Sequence, residues 1–307
     1  MRLRGLASSA LVGAPAAVAL AACHPNVLSP AGPVGDAAAH ITWDALGIML
    51  VIVIPTILAA LVFAWWFRAS NTRARYLPHW NYSGRLELVV WAIPTLTVLF
   101  LGGVIWIGSH QLDPSRPLPS KTPPLNVQVV SLDWRWLFIY PDQGIATINQ
   151  LVIPADTPVH FRITSSTVMN VFFVPELGSM IYAMGGMATN LWLQADRPGS
   201  FFGLSAQISG DGFSNMGFPV TAVAPAAFGD WVKSVQASGS VLDEPTYVAL
   251  TAQSLDTRQY SYRAVAPNLF RDIVTLRLPP GPGVQQSPSS RHSSSTSATR
   301  PTQQQDP

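Results

Sequence analysis

Copper chemistry is the first possibility that the side chains of this sequence raise, because its methionines cluster. Five of the seven methionines lie between residues 169 and 216, and three of these fall within the segment 180–187. Electron-transfer copper is held by thiolate and imidazole together. The single cysteine, Cys23, is remote in sequence, and His160 is the only histidine between residues 125 and 225. The pattern therefore disfavours a metal site and is more typical of methionines that fill gaps at interfaces.

Cys23 follows a segment that is typical of an export signal. Arg2 and Arg4 precede an Ala/Leu/Val-rich stretch that ends in Leu20-Ala21-Ala22-Cys23. A basic start, a short apolar stretch and small residues before a cleavage site characterise secretory signals. Small residues directly before a cysteine resemble the bacterial lipoprotein signal, in which the cysteine is acylated. We predict a lipoprotein signal peptide over residues 1–22 and lipid attachment at Cys23, with a buried structural cysteine as the alternative.

The whole chain is poor in charge, which narrows the class of protein. Only 11% of its 307 residues are charged, whereas about 25% is usual. The 18 Lys and Arg residues nearly balance the 16 Asp and Glu residues, so the basic excess of nucleic-acid binders is missing. One cysteine cannot form a disulfide scaffold. Low charge and ten tryptophans indicate a membrane protein.

Two uncharged stretches are long enough to cross a bilayer, which takes about 20 apolar residues. They predict helices over about 45–67 and 88–110 with a loop over 68–87, so that residues 45–112 form a transmembrane hairpin. The loop contains four arginines, whereas the preceding segment, 23–44, contains no Lys or Arg. Because basic loops stay in the cytoplasm, we expect residues 23–44 and everything after the hairpin to be exported.

The exported part changes from helical to strand periodicity. Residues 113–124 form a proline-rich linker, and residues 125–225 contain short alternating strands separated by turn signals, which predict a β-sandwich. Residues 226–280 show helical spacing and recurrent aromatics, and we expect a small helical extension that packs on the sandwich. Residues 281–307 have almost nothing apolar to bury and are expected to form a disordered tail.

Three short segments carry a resemblance to a known family. They read Val-Ser-Leu-Asp-Trp-Arg-Trp over 130–136, Val-Pro-Glu-Leu-Gly over 174–178 and Phe-Gly-Leu-Ser-Ala-Gln-Ile-Ser-Gly over 202–210. With the lipidated hairpin and the exported sandwich, they resemble subunit II of the haem-copper terminal oxidases over nearly the whole mature chain. The resemblance implies a cupredoxin-like β-sandwich. In the cytochrome c-oxidising members it holds a binuclear copper centre bound by two cysteines, two histidines, a methionine and a glutamate carbonyl.

The ligand positions that this resemblance implies are mostly substituted. The two histidines correspond to Asn170 and Phe213, the two cysteines to Ser205 and Ser209, the carbonyl donor to Gln207, and only the methionine is retained, as Met216. A serine hydroxyl stays protonated near neutral pH and does not replace a bridging thiolate. We therefore expect no metal in this chain, as in the quinol-oxidising branch of the family, the cytochrome bo-type ubiquinol oxidases.

Membership of that branch implies a non-catalytic subunit of a proton-pumping complex that oxidises ubiquinol and reduces oxygen to water. Haems, the active-site copper and the quinol site would lie in subunit I. The expected partners are subunit I, smaller membrane subunits and the lipid of the bacterial inner membrane, with no nucleic acid. A copper-bearing cytochrome c oxidase subunit is an alternative that the substituted ligands disfavour. A membrane-anchored assembly or binding lipoprotein is another.

Three residues have competing interpretations. Glu87 starts the second spanning helix, and in the family a glutamate near this position lies at the mouth of a proton-uptake path; the alternative is a carboxylate that complements the helix N-terminus. Trp134 and Trp136 lie where copper-bearing relatives carry tryptophans that accept electrons from cytochrome c. Without copper, we expect core packing and interface contacts from them.

Overall fold

The computed structural model describes residues 26–75, 77–237 and 239–283. The predicted signal peptide, Cys23 and most of the predicted tail lie outside the described residues. The described helices are α1 (Pro33–Trp66), α2 (Gly84–Gln111), α3 (Pro225–Gln236), α4 (Glu244–Leu250) and α5 (Leu269–Val274). The strands are β1 (Leu125–Ser131), β2 (Trp136–Tyr140), β3 (Ile145–Ile148), β4 (Leu151–Pro154), β5 (Val159–Ser165), β6 (Asn170–Phe173), β7 (Ile181–Ala183), β8 (Thr189–Leu193), β9 (Gly199–Ser205), β10 (Gly217–Val223), β11 (Ser240–Leu242) and β12 (Tyr260–Val265).

The two long helices are apolar and exposed along their length. The most apolar windows of α1 and α2 have mean hydropathies of 2.9 and 2.3, and none of either window is buried in the protein. A soluble protein would hide such surfaces in its core, whereas a bilayer covers them directly. Together with the β-sandwich that follows, the paired helices confirm the predicted fold class.

α1 begins at Pro33, twelve residues before the predicted start at residue 45. Asp36, His40 and Asp44 precede the uncharged stretch from which the span was predicted, but helix α1 includes all three of them. The first turn carries a proline at the favoured first position and an acidic side chain that suits the helix N-terminus. With 34 residues, α1 is about 51 Å long, whereas the hydrocarbon core is about 30 Å thick.

The first turns of α1 are fixed to the sandwich by backbone contacts. The Ala31 amide donates to the Glu176 carbonyl at 2.8 Å, and the Gly35 amide donates to the Leu177 carbonyl at 3.2 Å. Gly32 lies so close to the strand end that a Cβ there would be 2.0 Å from the carbonyl oxygen of Gln194. The helix and the sandwich are therefore joined by a direct contact as well as by the linker.

Two sheets form the sandwich. The larger sheet has the order β11-β12-β3-β2-β1-β5-β8, and the smaller has the order β4-β10-β9-β6-β7. Their facing sides enclose an aromatic core in which Phe172 and Phe218 stack with ring centroids 5.5 Å apart. This core holds the strand ends that carry the substituted ligand positions.

The C-terminal extension differs from the purely helical expectation. It contains α3, α4 and α5, but β12 also pairs antiparallel with β3, and β11 pairs parallel with β12. A second core lies between the outer side of the larger sheet and this extension, where Leu137 and Ile139 join Tyr247 and Phe270. The extension is thus built into the sandwich.

Candidate functional site

Neighbouring strands of the smaller sheet bring the predicted ligand positions together. Asn170 begins β6, Ser205 ends β9, and Met216 directly precedes β10. Because β6 and β10 both pair with β9, these strand ends meet at one end of the sandwich. Ser209 and Phe213 lie in the loop that connects β9 to β10.

Hydrogen bonds join most of these positions in the folded chain. The Ser205 hydroxyl lies 3.1 Å from the Asn170 amide oxygen and 3.3 Å from the Gln207 backbone carbonyl, and it can donate to either. The Ser209 hydroxyl donates to the Met216 sulfur at 3.3 Å. Asn170, Ser205, Ser209 and Met216 are each at least 96% buried. A buried polar network without charge occupies the positions that the resemblance assigned to copper ligands.

These side chains do not fit a copper ion. The network offers two hydroxyls, one amide and one thioether, and it contains neither the thiolate nor the imidazole that such copper requires. In residues 26–75, 77–237 and 239–283 there is no cluster of three or more His, Cys, Asp or Glu side chains that could hold a metal. The arrangement is suited to packing and hydrogen bonding.

The indoles of both tryptophans donate hydrogen bonds to backbone carbonyls of this network. The indole nitrogen of Trp136 donates to the Met216 carbonyl, and that of Trp134 donates to the Ser209 carbonyl, both at 3.1 Å. Trp136 is completely buried and packs on Phe172, which agrees with the core-packing part of the expectation and leaves its indole no exposed surface in this chain. Trp134 is partly buried and lies at the edge of the same core.

The remaining residues singled out from the sequence lie apart from the network. His160 stacks on Trp192 with ring centroids 4.4 Å apart, and its Nε2 lies 3.1 Å from the Asn190 amide oxygen, as expected of a surface packing residue. Met169, Met180 and Met187 are 42–53% exposed.

Glu87 lies in the first turn of α2 and is exposed. Its backbone amide donates to the Ser83 carbonyl at 3.0 Å. The carboxylate is therefore placed where it complements the helix N-terminus, and it is also accessible to a neighbouring subunit.

Two buried charges escaped the sequence analysis. Arg135 is 6% exposed and donates to the Leu250 and Ala252 carbonyls at 2.8 and 3.1 Å. Asp133, 3% exposed, accepts from the Gly283 amide at 3.0 Å and from the Thr167 hydroxyl. Arg135 thus holds the end of α4, and Asp133 holds Gly283 just beyond the extension, against the end of the sandwich where the substituted ligand positions meet. The sequence signal that could have found these two residues is their alternation with apolar residues in the segment 130–136.

Comparison with known proteins agrees with this architecture. The sequence model of the family described as "Cytochrome C oxidase subunit II, periplasmic domain" matches residues 141–223. A ubiquinol oxidase subunit 2 from Acetobacter aceti is 49% identical over 89% of this chain and 87% of its own length. A cytochrome bo(3) ubiquinol oxidase subunit 2 from Pseudomonas aeruginosa is 47% identical over 84% of this chain and 78% of its own length.

More distant similarity extends to a further group of relatives and to solved structures. A quinol oxidase subunit 2 from Bacillus cereus is 37% identical over 72% of this chain and 76% of its own length. The crystal structure of the periplasmic domain of cytochrome oxidase subunit II from Bradyrhizobium japonicum is 22% identical, with a TM-score of 0.36, and covers 37% of this chain and 94% of its own length.

Proposed function

This chain belongs to the ubiquinol oxidase subunit 2 family, and from that membership we propose that it is the second subunit of a proton-pumping quinol oxidase in the inner membrane. The complex oxidises ubiquinol and reduces oxygen to water. This chain carries no redox centre and serves to stabilise the large subunit and to cap its exported side. The observation that carries the proposal is the buried network of Asn170, Ser205, Ser209 and Met216. It occupies the positions that the resemblance assigns to copper ligands, and it contains neither a thiolate nor an imidazole.

The large partner subunit holds the haems, the active-site copper and the quinol site in this proposal. Electrons pass directly from membrane-dissolved quinol to that subunit, so no exported copper relay is needed. Smaller membrane subunits complete the complex. The exposed apolar sides of α1 and α2 support this assembly, because they place both helices in the bilayer beside the helices of such a subunit.

The loop between α1 and α2 faces the cytoplasm in this proposal, and Cys23 carries an acyl anchor on the exported side. Arg68, Arg73 and Arg75 in that loop support the orientation. One acyl anchor binds a membrane weakly and works beside the spanning helices. Mass measurement of the mature N-terminal peptide tests the anchor: an acylated cysteine is expected, and an unmodified chain starting at Met1 would contradict it.

Purification of the chain from membranes in mild detergent tests the proposed function. We expect haem absorption bands from a large co-purifying subunit, quinol oxidase activity, and no near-infrared band from a binuclear copper centre. Two copper ions assigned to this chain would instead support the cytochrome c-oxidising branch. A solitary chain without a haem partner would support an assembly or binding lipoprotein.

A further inference from the structure

A cleft with a volume of about 450 Å³ opens where the C-terminal extension meets the outer side of the larger sheet. Residues 265–271 of the extension form one wall, and Gln128, Ile139 and Arg162 of the sheet form the other. Binding sites for small molecules have volumes of about 300–1,000 Å³. The cleft is therefore large enough to hold a small organic ligand.

The cleft is separate from the network at the substituted ligand positions. Strand β2 begins at Trp136, whose indole nitrogen donates to the Met216 carbonyl, and it ends at Tyr140, which lines the cleft. The length of β2, about 13 Å, lies between the two places. A ligand in the cleft therefore does not contact the polar network.

The charge of the cleft has one sign. Within the part of the chain that the structure describes, the only charged side chains that line it are Arg162 and Arg271. The neighbouring Asp272 carboxylate lies 3.1 Å from the Arg277 guanidinium and 3.8 Å from that of Arg271, so it offsets part of the charge of Arg271 alone. Asp142, next to the cleft, accepts from a neighbouring asparagine amide at 3.0 Å. A cleft lined by positive charge favours an anionic ligand.

Arg162 is positioned in the cleft without use of its hydrogen-bond donors. Its guanidinium carbon lies 5.3 Å from the centroid of the Phe270 ring, and Phe270 is itself 4% exposed. In the described part of the chain the Arg162 side chain makes no hydrogen bond and no ion pair, and it is exposed. A guanidinium presents N–H groups in a planar fork that fits two oxygens of a carboxylate or phosphate. Gln128, the partner of Arg162 in the pairing of β1 with β5, adds an amide to the same wall.

The rest of the lining is mostly apolar and is held in place by the fold. Ile139, Leu269 and Phe270 belong to the second core and are 2–4% exposed. Pro141 and Val274 also line the cleft. Ligand sites combine such an apolar lining with a few polar groups that fix the orientation of the ligand. The ligand that fits has an apolar body as well as an anionic group.

We propose that this cleft binds a small organic anion in which a carboxylate or a phosphate is attached to an apolar body. The anionic group bonds to the Arg162 guanidinium, and the apolar body lies on Ile139 and Phe270. All of these residues belong to this chain, so the proposal does not depend on the proposed function.

Calorimetric titration with phenyl phosphate tests the class of ligand, with the full-length chain purified together with its co-purifying subunits. Phenyl phosphate is water-soluble and carries both an anionic group and an apolar ring. We expect saturable binding, and we expect inorganic phosphate to bind at least about tenfold more weakly because it has no apolar surface to bury. Absence of saturable binding of phenyl phosphate, or equal affinity for the two anions, would overturn the proposal.

A substitution of Arg162 tests the place of binding. Arg162→Gln should weaken binding of phenyl phosphate by at least about tenfold, because a charge-assisted hydrogen bond is lost. The matched control is Arg263→Gln, since Arg263 is an exposed arginine of β12 that does not line the cleft, and this variant should bind as the unsubstituted chain does. Both variants should keep the circular dichroism spectrum of the unsubstituted chain. Equal affinity of Arg162→Gln and the unsubstituted chain would overturn the proposal.

The same pair of variants distinguishes a lipid from a water-soluble ligand. Organic extracts of the purified Arg162→Gln and Arg263→Gln proteins are compared by mass spectrometry. An anionic lipid that is depleted only with Arg162→Gln would support the site and identify a lipid as its ligand. Identical extracts, together with weaker binding of phenyl phosphate by Arg162→Gln, would support the site with a water-soluble anion as its ligand.

Discussion

The hydroxyl of Ser205 lies 3.1 Å from the amide oxygen of Asn170, inside the sandwich and shielded from solvent. In the family resemblance these residues stand for a copper-binding cysteine and histidine. The backbone carbonyl of Gln207 lies 3.3 Å from the same hydroxyl, at the place of the carbonyl donor. Positions that the resemblance assigns to copper ligands therefore carry side chains that hold each other by neutral hydrogen bonds.

Introducing the ligands should create a metal site if these positions converge as their hydrogen bonds indicate. We expect the combined variant Asn170→His, Ser205→Cys, Ser209→Cys and Phe213→His to retain copper after desalting and to show a near-infrared band, because thiolate and imidazole are the ligands that copper prefers. Metal analysis and absorption spectroscopy of the purified complex measure this.

The control for the copper experiment is the pair Ser205→Cys and Ser209→Cys alone. Without the two imidazoles, this pair should give no stable near-infrared band. A folded fourfold variant that binds no copper would show that the positions do not converge as the hydrogen bonds indicate.

The sequence predicted the sandwich and the residues that meet at its end better than it predicted the length of α1. Turn signals and alternation are local properties, so short strands could be recognised. Asp36 and Asp44 end an apolar stretch, yet helix formation tolerates them, and the contact of α1 with the loop around Glu176 depends on residues far apart in sequence. Hydropathy detects the part of a helix that lies in lipid and misses the part that does not.

The exposure of aromatic residues was equally hard to predict. Trp134 and Trp136 are two residues apart, which in a regular strand would place them on the same face. Trp134 instead has a positive φ of 70° and lies outside the strand that begins at Trp136. The irregular backbone separates a partly exposed indole from a fully buried one. An alternating sequence pattern therefore could not predict the different exposures of the two indoles.

A proton role for Glu87 predicts a kinetic effect without loss of assembly. Glu87→Ala should slow quinol oxidase turnover several-fold while the haem content of the purified complex stays the same, since the carboxylate is exposed and makes no hydrogen bond or ion pair to another element within the described part of the chain. Glu87→Asp keeps the carboxylate and should retain most of the activity. Unchanged turnover in Glu87→Ala would leave only the helix-terminus role, worth about 0.3–1 kcal/mol.

The contact between α1 and the sandwich can be tested at Gly32. A Cβ at this position would meet the Gln194 carbonyl oxygen at 2.0 Å, so Gly32→Ala should force the two apart. Such overpacking costs about 1–3 kcal/mol. Hydrogen exchange at the Ala31 and Gly35 amides should accelerate about tenfold or more, because their bonds to Glu176 and Leu177 open.

Gly47→Ala is the matched control for that variant. A Cβ on Gly47 has nothing within 4 Å in the described part of the chain, so exchange at Ala31 and Gly35 should not change. Equal exchange rates in Gly32→Ala and the unsubstituted chain would indicate that the helix end and the sandwich are not held together by this contact.

Burial of Tyr247 between α4 of the C-terminal extension and the larger sheet predicts a loss of stability in alkali. Desolvation raises the pKa of Tyr247 to about 12, whereas an unfolded tyrosine ionises near pH 10. The unfolded state therefore loses its proton first as pH rises. The contribution to folding is present in full below pH 10 and falls by about 2–3 kcal/mol by pH 12.

Tyr247→Phe removes this ionisation and should flatten the pH dependence of unfolding above pH 10. At neutral pH it should cost about 1 kcal/mol, because the hydroxyl no longer bonds to the Ser166 side chain. Denaturant titrations of the purified complex at several pH values, followed by tryptophan fluorescence, measure both effects. Tyr182→Phe controls for the loss of an exposed tyrosine hydroxyl. An equally steep alkaline loss in Tyr247→Phe would assign the effect to other buried tyrosines, such as Tyr262, whose pKa burial also raises to about 12.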